Sequence, residues 1–519
     1  LALSEGRGRR LHVLRVRLRD RRRGARQRGD GGDGDGDDDE IPHGGPIMDR
    51  FAATGKIDDP GILRGESPRP RRRLPHSKFV SCSLPPMRRS AMVVVALLVL
   101  AAPSAARATP QDLFGLGART QGLGMTGVSY ADDYEATFAN PAGLARARYQ
   151  GIHIGLGAAA FELNIDGDRF PMDSARGMTI GATLPLPFGD ILENRLVFGV
   201  GVYTPQQVLL RGSVQFPDVP QWPVLSRGQS LGIQVGLGFD FHSTDLEGLR
   251  IGLGVAAMAD VIGELDVRLD ETNTFSSTVE TQLLATFSPI AGVSYDREGW
   301  SVGIVYRHEV RSTMDLEIRT ADLPVTLPVL TVGGIVQYAP AQLAGEVSYL
   351  VDPNVRLIAN LTWRMWSFYP GPQQPTSLSS LQAPAPGFSD TVSPRVAVEG
   401  TIRDRRVALH LRGGYAMELS PSPPARMAPQ RNPDGSPVAS PIPLRFLDND
   451  RHVLTAGLGF VYDISATERI RIDLYGQAHF LVDRMHEVAR SGSSPGDPEG
   501  WMRTGGAIVV GGWVFALEF

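Results

Sequence analysis

The residues able to do acid–base or metal chemistry are scattered. Between 109 and 519 the histidines, among them His242, His308, His410, His452 and His479, are scattered along the chain. Hydrolysis needs a nucleophile, a base and a carboxylate that converge. No G-x-S-x-G, H-E-x-x-H or Walker pattern occurs in 109–519 to announce such a site. The single cysteine, Cys82, allows no disulfide or zinc framework. The expectation is a protein that is not an enzyme and that holds no cofactor or metal. The chemistry that remains is apolar. Val208, Leu209, Leu210, Phe216, Trp222, Val224 and Leu225 crowd one stretch between periodic segments, and Leu323, Val325, Leu327, Val329 and Leu330 crowd another. An apolar set on an exposed loop marks a binding surface for a hydrophobic small molecule; self-packing of a long loop is the other reading.

The elements that would carry these loops alternate with period two. In 354–366, Val355, Leu357, Ala359, Leu361, Trp363 and Met365 fall on one face, with Arg356, Asn360, Thr362 and Arg364 on the other. In 469–480, Ile470, Ile472, Leu474, Ala478 and Phe480 oppose Arg469, Arg471, Asp473, Gln477 and His479. This is strand periodicity. A soluble sandwich would not place several charges and amides on its inner face, whereas a membrane barrel has lipid outside and a polar lumen inside. No apolar run reaches the ~20 residues a spanning helix needs, and an open sheet edge in lipid would leave backbone groups unpaired, so closure is required.

Fourteen strands are predicted: 151–161, 177–187, 195–204, 229–242, 249–262, 283–296, 299–310, 342–350, 354–366, 392–402, 405–417, 451–463, 468–481 and 504–519. Long connections alternate with short turns such as Arg297-Glu298 and Arg403-Asp404, the asymmetry of outer loops and periplasmic turns. The fold class is therefore all-β, a transmembrane antiparallel barrel. Trp300, Tyr306, Trp363, Trp366, Tyr415, Tyr462, Trp513 and Phe515 are expected near strand ends as interfacial girdles. Asp450 and His452, flanking Arg451 where a long loop re-enters the wall, are expected in a lumen hydrogen-bond network.

Ahead of the barrel, residues 87–108 read as an export signal. Arg88 and Arg89 precede an apolar core from Ala91 to Ala102, and Ala106-Arg107-Ala108 has the A-x-A form of a cleavage site. Residues 1–86 hold Arg runs and a Gly/Asp tract without apolar periodicity. They are expected to be disordered or not translated, with the frame opening at Met87. These first 86 residues carry 19 Lys+Arg against 13 Asp+Glu, and the next 22 add three Arg. In a chain of net charge −4 the remainder is thus acidic, which argues against a nucleic-acid partner.

Residues 109–150 do not alternate and are Gly-rich and small. Gly122 to Leu144, with Ala131-Asp132-Asp133 and Asn140-Pro141-Ala142-Gly143-Leu144, resembles the N-terminal hatch of the FadL-type long-chain fatty-acid and aromatic-hydrocarbon transporters. Leu361-Thr362-Trp363, Ser393-Pro394-Arg395, Gly414-Tyr415 and Asp450-Arg451-His452 are similar to that family as well. The resemblance spans 109–519. It implies a fourteen-stranded barrel, 151–519, with a hatch, 109–150, inside it. It also implies loop capture of a hydrophobic ligand and sideways exit at an inward kink of the third strand. Gly199, Gly201 and Pro205 are the residues of that strand able to bend it. The terminal Phe519 resembles the assembly signal read by the barrel-assembly machinery. The expected partners are ligand, outer-membrane lipid, lipopolysaccharide and that machinery, with the protein a monomer. The rival readings are a general porin and a structural or secretion-partner barrel.

Overall fold

Alternation of residue type becomes alternation of exposure. In β1, Gly151–Ile165, the side chains of His153, Ala159, Phe161 and Leu163 are buried, while Ile152, Ile154 and Leu156 stand 44–49 % exposed on the other face. Apolar residues outside and polar ones inside is the inversion that lipid demands. The same holds around the wall: Leu253, Ile304, Leu361, Val396, Leu454 and Phe480 face outward, and Glu346, Arg395, Glu399, Arg412 and Asp473 face inward and are buried.

The computed structural model describes residues 110–188, 195–206, 210–211, 220–225, 229–242, 244–269, 275–321, 329–372, 382, 384–432, 434–439, 441–487 and 500–519. After β1 the wall continues through β2 (Ala175–Pro185), β3 (Leu196–Pro205), β4 (Gly232–Asp240), β5 (Leu249–Leu269), β6 (Phe275–Arg297) and β7 (Trp300–Arg307). It is completed by β8 (Gln342–Asp352), β9 (Val355–Arg364), β10 (Thr391–Asp404), β11 (Val407–Glu418), β12 (Arg451–Asp463), β13 (Arg469–Glu487) and β14 (Trp501–Glu518). Each strand pairs antiparallel with the next, and β14 pairs with β1 from Glu518↔Gly151 to Thr504↔Ile165. The ladder is a closed fourteen-stranded transmembrane barrel, and every predicted strand is in it. The N-terminus of β1 and Phe519 lie at the end that carries the tight turns, where Gln150 and Phe519 exchange backbone hydrogen bonds of 3.0 and 2.9 Å.

Two connections differ from expectation. Strands β5 and β6 stay paired to Leu269↔Phe275, so the stretch read as a long loop, 263–282, is mostly a projecting ribbon. Its alternation had not ended: Ile262, Glu264, Asp266 and Arg268 interleave with Val261, Gly263, Leu265 and Val267. The stretch 311–341, also read as loop, forms a hairpin of Val310–Ala321 with Leu330–Ala339. Because β4 pairs with β5 only as far as Met258, the β5 edge beyond it is open. The first hairpin strand covers that edge in parallel, Met314↔Val261 to Ala321↔Arg268, satisfying backbone groups that an edge would leave bare. The hairpin lies outside wall order, since β7 hydrogen-bonds directly to β8.

The lumen is filled by the chain ahead of β1. Short helices α1 (Pro110–Phe114), α2 (Ala118–Gly122) and α3 (Ala136–Ala139) and a 3-10 turn, Pro141–Arg146, form a plug with almost every side chain buried. Glycines on the inner wall let its backbone approach. A Cβ on Gly252 would lie 2.0 Å from the Ala142 nitrogen, one on Gly303 2.2 Å from the Val128 oxygen, and one on Gly292 1.9 Å from Asn140 Oδ1. Gly199 and Gly201 belong to this set: a Cβ there would meet Leu144 at 2.5 Å and Thr137 at 2.9 Å. Their smallness seats the plug, and β3 keeps regular register with both neighbours from Val197 to Tyr203.

Gly292→Ala is expected to lower barrel stability by about 1–3 kcal/mol, the usual cost of overpacking. Gly345→Ala, whose Cβ meets nothing within 4 Å, is expected to cost little. Thermal unfolding of both variants in detergent checks this, and equal midpoints would contradict the seating role.

Candidate functional site

The lumen has three levels. At the turn end is an open vestibule of about 690 Å³ lined by Arg146, Arg250, Arg469, Arg471, Asp240 and Glu518 among others. Most of its charges are paired: Arg146 to Asp296 at 2.7 Å and Arg250 to Asp240 at 3.0 Å, with Arg469 also ion-paired to Glu518. A charged chamber offers an apolar solute no favourable burial.

Above it the plug is tied to the wall by a continuous run of buried ion pairs. Arg471 bridges Asp133 of the plug (2.6 Å) and Asp473 of β13 (2.6 Å). Asp473 takes Arg412 at 2.5 Å, Arg412 takes Glu399 at 3.0 Å, and Glu399 takes Arg119 of the plug at 2.8 Å. Such pairs offset their own desolvation only when every member is satisfied, and losing one partner strands a buried charge. Glu346 of β8 accepts from the Gly127 and Ser129 nitrogens (2.9 and 2.8 Å) and from Ser129 Oγ (2.7 Å). Glu418 holds Arg364 and Arg395, and Arg395 donates to the Met125 carbonyl at 2.6 Å.

The motif residues of the plug act at the seam. Asn140 caps the 3-10 turn through Oδ1, which accepts from the Ala142 nitrogen at 3.1 Å. Its Nδ2 donates to the Val128 carbonyl and to Val293 of β6 at 2.8 and 3.1 Å. Pro141 fits the first position of that turn, where no N–H is needed. A Cβ on Gly143 would strike the Ala131 oxygen at 2.3 Å, and Leu144 is wholly buried against Gly199, Gly236 and Gly238.

At the loop end the lumen turns apolar. Phe114 of the plug, Phe161 and Leu163 of β1, Leu481 of β13 and Ile508 of β14 form one cluster with Trp222, Tyr338, Trp366, Tyr369, Phe388 and Phe446 from the loops. Aromatic contacts run through it, with Tyr369–Phe388 at 4.9 Å, Phe388–Phe446 at 5.6 Å and Phe170–Trp222 at 4.8 Å.

The predicted ligand residues fall out as follows. Trp222 and Leu225 are in the cluster and fully buried instead of standing exposed on a loop. Leu210 pairs with Ser230 and Leu330 with Ile318 through their backbones. Val208, Leu209, Phe216 and Leu327, like the signal residues Ala106 and Ala108, lie outside the described residues. Phe519 is 47 % exposed beside outward Phe515 and Leu517. Pro205 ends β3. Sequence reasoning missed Trp366, which is 4 % exposed inside the mouth and not in a girdle. It also missed Tyr369, Phe388 and Phe446, whose aromatic density in loop stretches was the signal. His452 is likewise a correction. It faces outward and bonds Tyr415 at 2.8 Å, and the inward residue at that point is Arg451. His479 is buried edge-on to Phe114.

Glu135 of the plug is the titratable group of interest outside the wall. Its carboxylate accepts from the Arg119 and Thr120 nitrogens at 3.0 and 2.8 Å. Burial, reinforced by the neighbouring Asp133 charge, pushes it up to about 8. A released plug would return it to the ~4.3 of a carboxyl in water. Between those values the docked plug binds the extra proton, so rising pH favours release and falling pH favours docking. Bilayer conductance of the reconstituted barrel is expected to show more openings at pH 9 than at pH 6. Equal opening at both would contradict this coupling.

No protein-family model matches the chain, and no curated protein matches it. Among solved structures the chain is similar to a FadL homologue from Pseudomonas aeruginosa, with 14 % identity, TM-score 0.47, and coverage of 80 % of this chain and 99 % of that one. It is also similar to the P. putida toluene transporter TodX, with 13 % identity, TM-score 0.45, and coverage of 79 % and 99 %. A third is the Ralstonia pickettii toluene transporter TbuX, with 14 % identity, TM-score 0.44, and coverage of 78 % and 98 %.

Proposed function

We propose that this chain is an outer-membrane passive transporter of the FadL type, taking up hydrophobic small molecules such as long-chain fatty acids or aromatic hydrocarbons. The observation that carries the reading is the order of levels along the lumen: an apolar, aromatic mouth facing the long loops, a buried plug locked by charge, and a charged vestibule beyond. An alkyl chain gains about 0.8 kcal/mol per CH₂ on leaving water, so the mouth can capture what lipopolysaccharide keeps out of the outer leaflet. The plug and the vestibule then oppose axial passage, because each apolar group would re-enter a charged space. Exit through the wall into lipid avoids that cost. The place that favours it is the loop-end rim above β3 and β4, which stop at Pro205 and Gly232 while β5 runs on to Leu269.

Export uses the segment 87–108, cleaved after Ala108, and assembly uses the terminal Phe519. A general porin is disfavoured by the filled lumen. A secretion-partner barrel has no use for an aromatic mouth enclosed over a plug.

The chain from Met87 onward, expressed in a bacterium lacking its own fatty-acid transporter, is expected to raise uptake of labelled oleate, labelled toluene or both above the empty-vector control. Cysteines placed at Val202 and Ile233, which are Cα partners across β3 and β4, would lock that seam on oxidation. Uptake should fall when they are oxidised and recover on reduction. Failure to take up either ligand from a correctly inserted barrel would contradict transport, and uptake indifferent to the lock would contradict wall exit at this seam.

A further inference from the structure

Three polar side chains sit together where the apolar mouth meets the plug, and each buries an atom that has no hydrogen-bond partner among the described residues. Gln111 of α1 is 3 % exposed, with both its amide nitrogen and its oxygen unpaired. Gln234 of β4 is 2 % exposed with its oxygen unpaired, and Tyr203 of β3 is 4 % exposed with its hydroxyl unpaired. They share one patch of wall: Gly201 is the partner of Gln234 and Tyr203 the partner of Gly232. A Cβ on Gly232 would lie 3.1 Å from both ends of the Gln111 amide, and one on Gly201 3.7 Å from the Gln234 oxygen. Gln111 and Tyr203 line one small cavity with Phe114, Leu116 and Tyr475, and no charged residue lines it. Gln111 and Gln234 line a second with Phe138, Met258, Ile290 and the charged Arg307.

Buried polar atoms left unpaired are costly, and folded proteins hold few of them. Gln111 and Tyr203, two residues with such atoms lining one uncharged cavity at the base of the aromatic cluster, have the form of a receptor for a polar group. We propose that Gln111 and Tyr203 receive the hydroxyl of an otherwise hydrophobic ligand, so that the preferred cargo is a long-chain alcohol or phenol and not a bare hydrocarbon. This rests on the transporter reading and narrows it. The hydroxyl donates to the Gln111 oxygen and accepts from the Tyr203 hydroxyl. Its hydrocarbon part lies in the mouth against Phe114 and its neighbours. A carboxylate would find no cation lining the cavity of Tyr203. The five-residue helix α1 that carries Gln111 is tied to the wall by Gln477 Nε2 donating to the Phe114 carbonyl at 2.9 Å.

The test compares uptake of labelled hexadecanol, hexadecane and palmitate by cells expressing the full chain, with barrel folding confirmed by heat-dependent gel mobility. Hexadecanol should exceed hexadecane by about tenfold, the worth of one well-made buried hydrogen bond. Gln111→Leu should bring that ratio towards one, and the milder Tyr203→Phe should lower it. Equal uptake of alcohol and alkane by the parent, a preference for palmitate, or a ratio unmoved in both folded variants would overturn the hydroxyl receptor while leaving hydrophobic transport intact. Uptake of none of the three would overturn both.

Discussion

Backbone of the plug lying directly on glycine-lined wall is the contact on which the rest of the structure depends. A fourteen-stranded barrel is too wide to fill with its own inward side chains, and an unfilled one is a pore. This chain fills it with a second layer of backbone. Along β3 to β7 the wall gives up side chains, and glycines such as Gly252 and Gly292 admit the plug to van der Waals distance. Around β10 to β14 the wall keeps long charged side chains that reach across to Arg119 and Asp133. Both contacts occur on both arcs, since Gly414 of β11 also admits the plug backbone at Gly124 and Arg146 of the plug pairs with Asp296 of β6. Each needs the other: close approach fixes the position at which the ion pairs have good geometry, and the ion pairs prevent the plug from sliding out.

That arrangement decides what the lumen can do. A sealed, charged floor under an apolar mouth makes the barrel directional without any moving part beyond the plug. A hydrophobic molecule gains by entering from the loop side and gains nothing by going on through the floor. In the proposed transport the rim above β3 and β4 matters as the place of exit through the wall.

Much of this was legible in the sequence. Period-two alternation located all fourteen wall strands, since burial on one face and lipid on the other leave no freedom of register. The segment 109–150 was separable from the wall by its failure to alternate, while only its resemblance to a hatch pointed to a plug, and Asn140-Pro141 was legible by its turn chemistry. What escaped was of two kinds. The ribbon at the end of β5 and β6 and the hairpin Val310–Ala321 with Leu330–Ala339 alternate as well as the wall does, but nothing in a sequence says that a loop strand will cover a neighbour's edge. The glycines were misleading for a related reason. Gly199 and Gly201 read as points of bending, and a small residue looks the same whether it permits a kink or a close approach. Trp366 and His452 were misassigned because, near the loop end, inside and outside depend on where the strand stops, and that boundary is set by tertiary contacts.

The most direct test of the account is where a ligand touches the chain. A labelled alkyl probe carrying a photoreactive diazirine, supplied to cells expressing the protein and mapped by mass spectrometry, should mark the mouth at Trp366, Phe388 and Phe446 and then the rim of β3 and β4. Vestibule residues such as Arg250 and Asp240 should remain unmarked. Labelling that runs through the vestibule would show passage along the barrel axis and would contradict the sealed floor from which the rest follows.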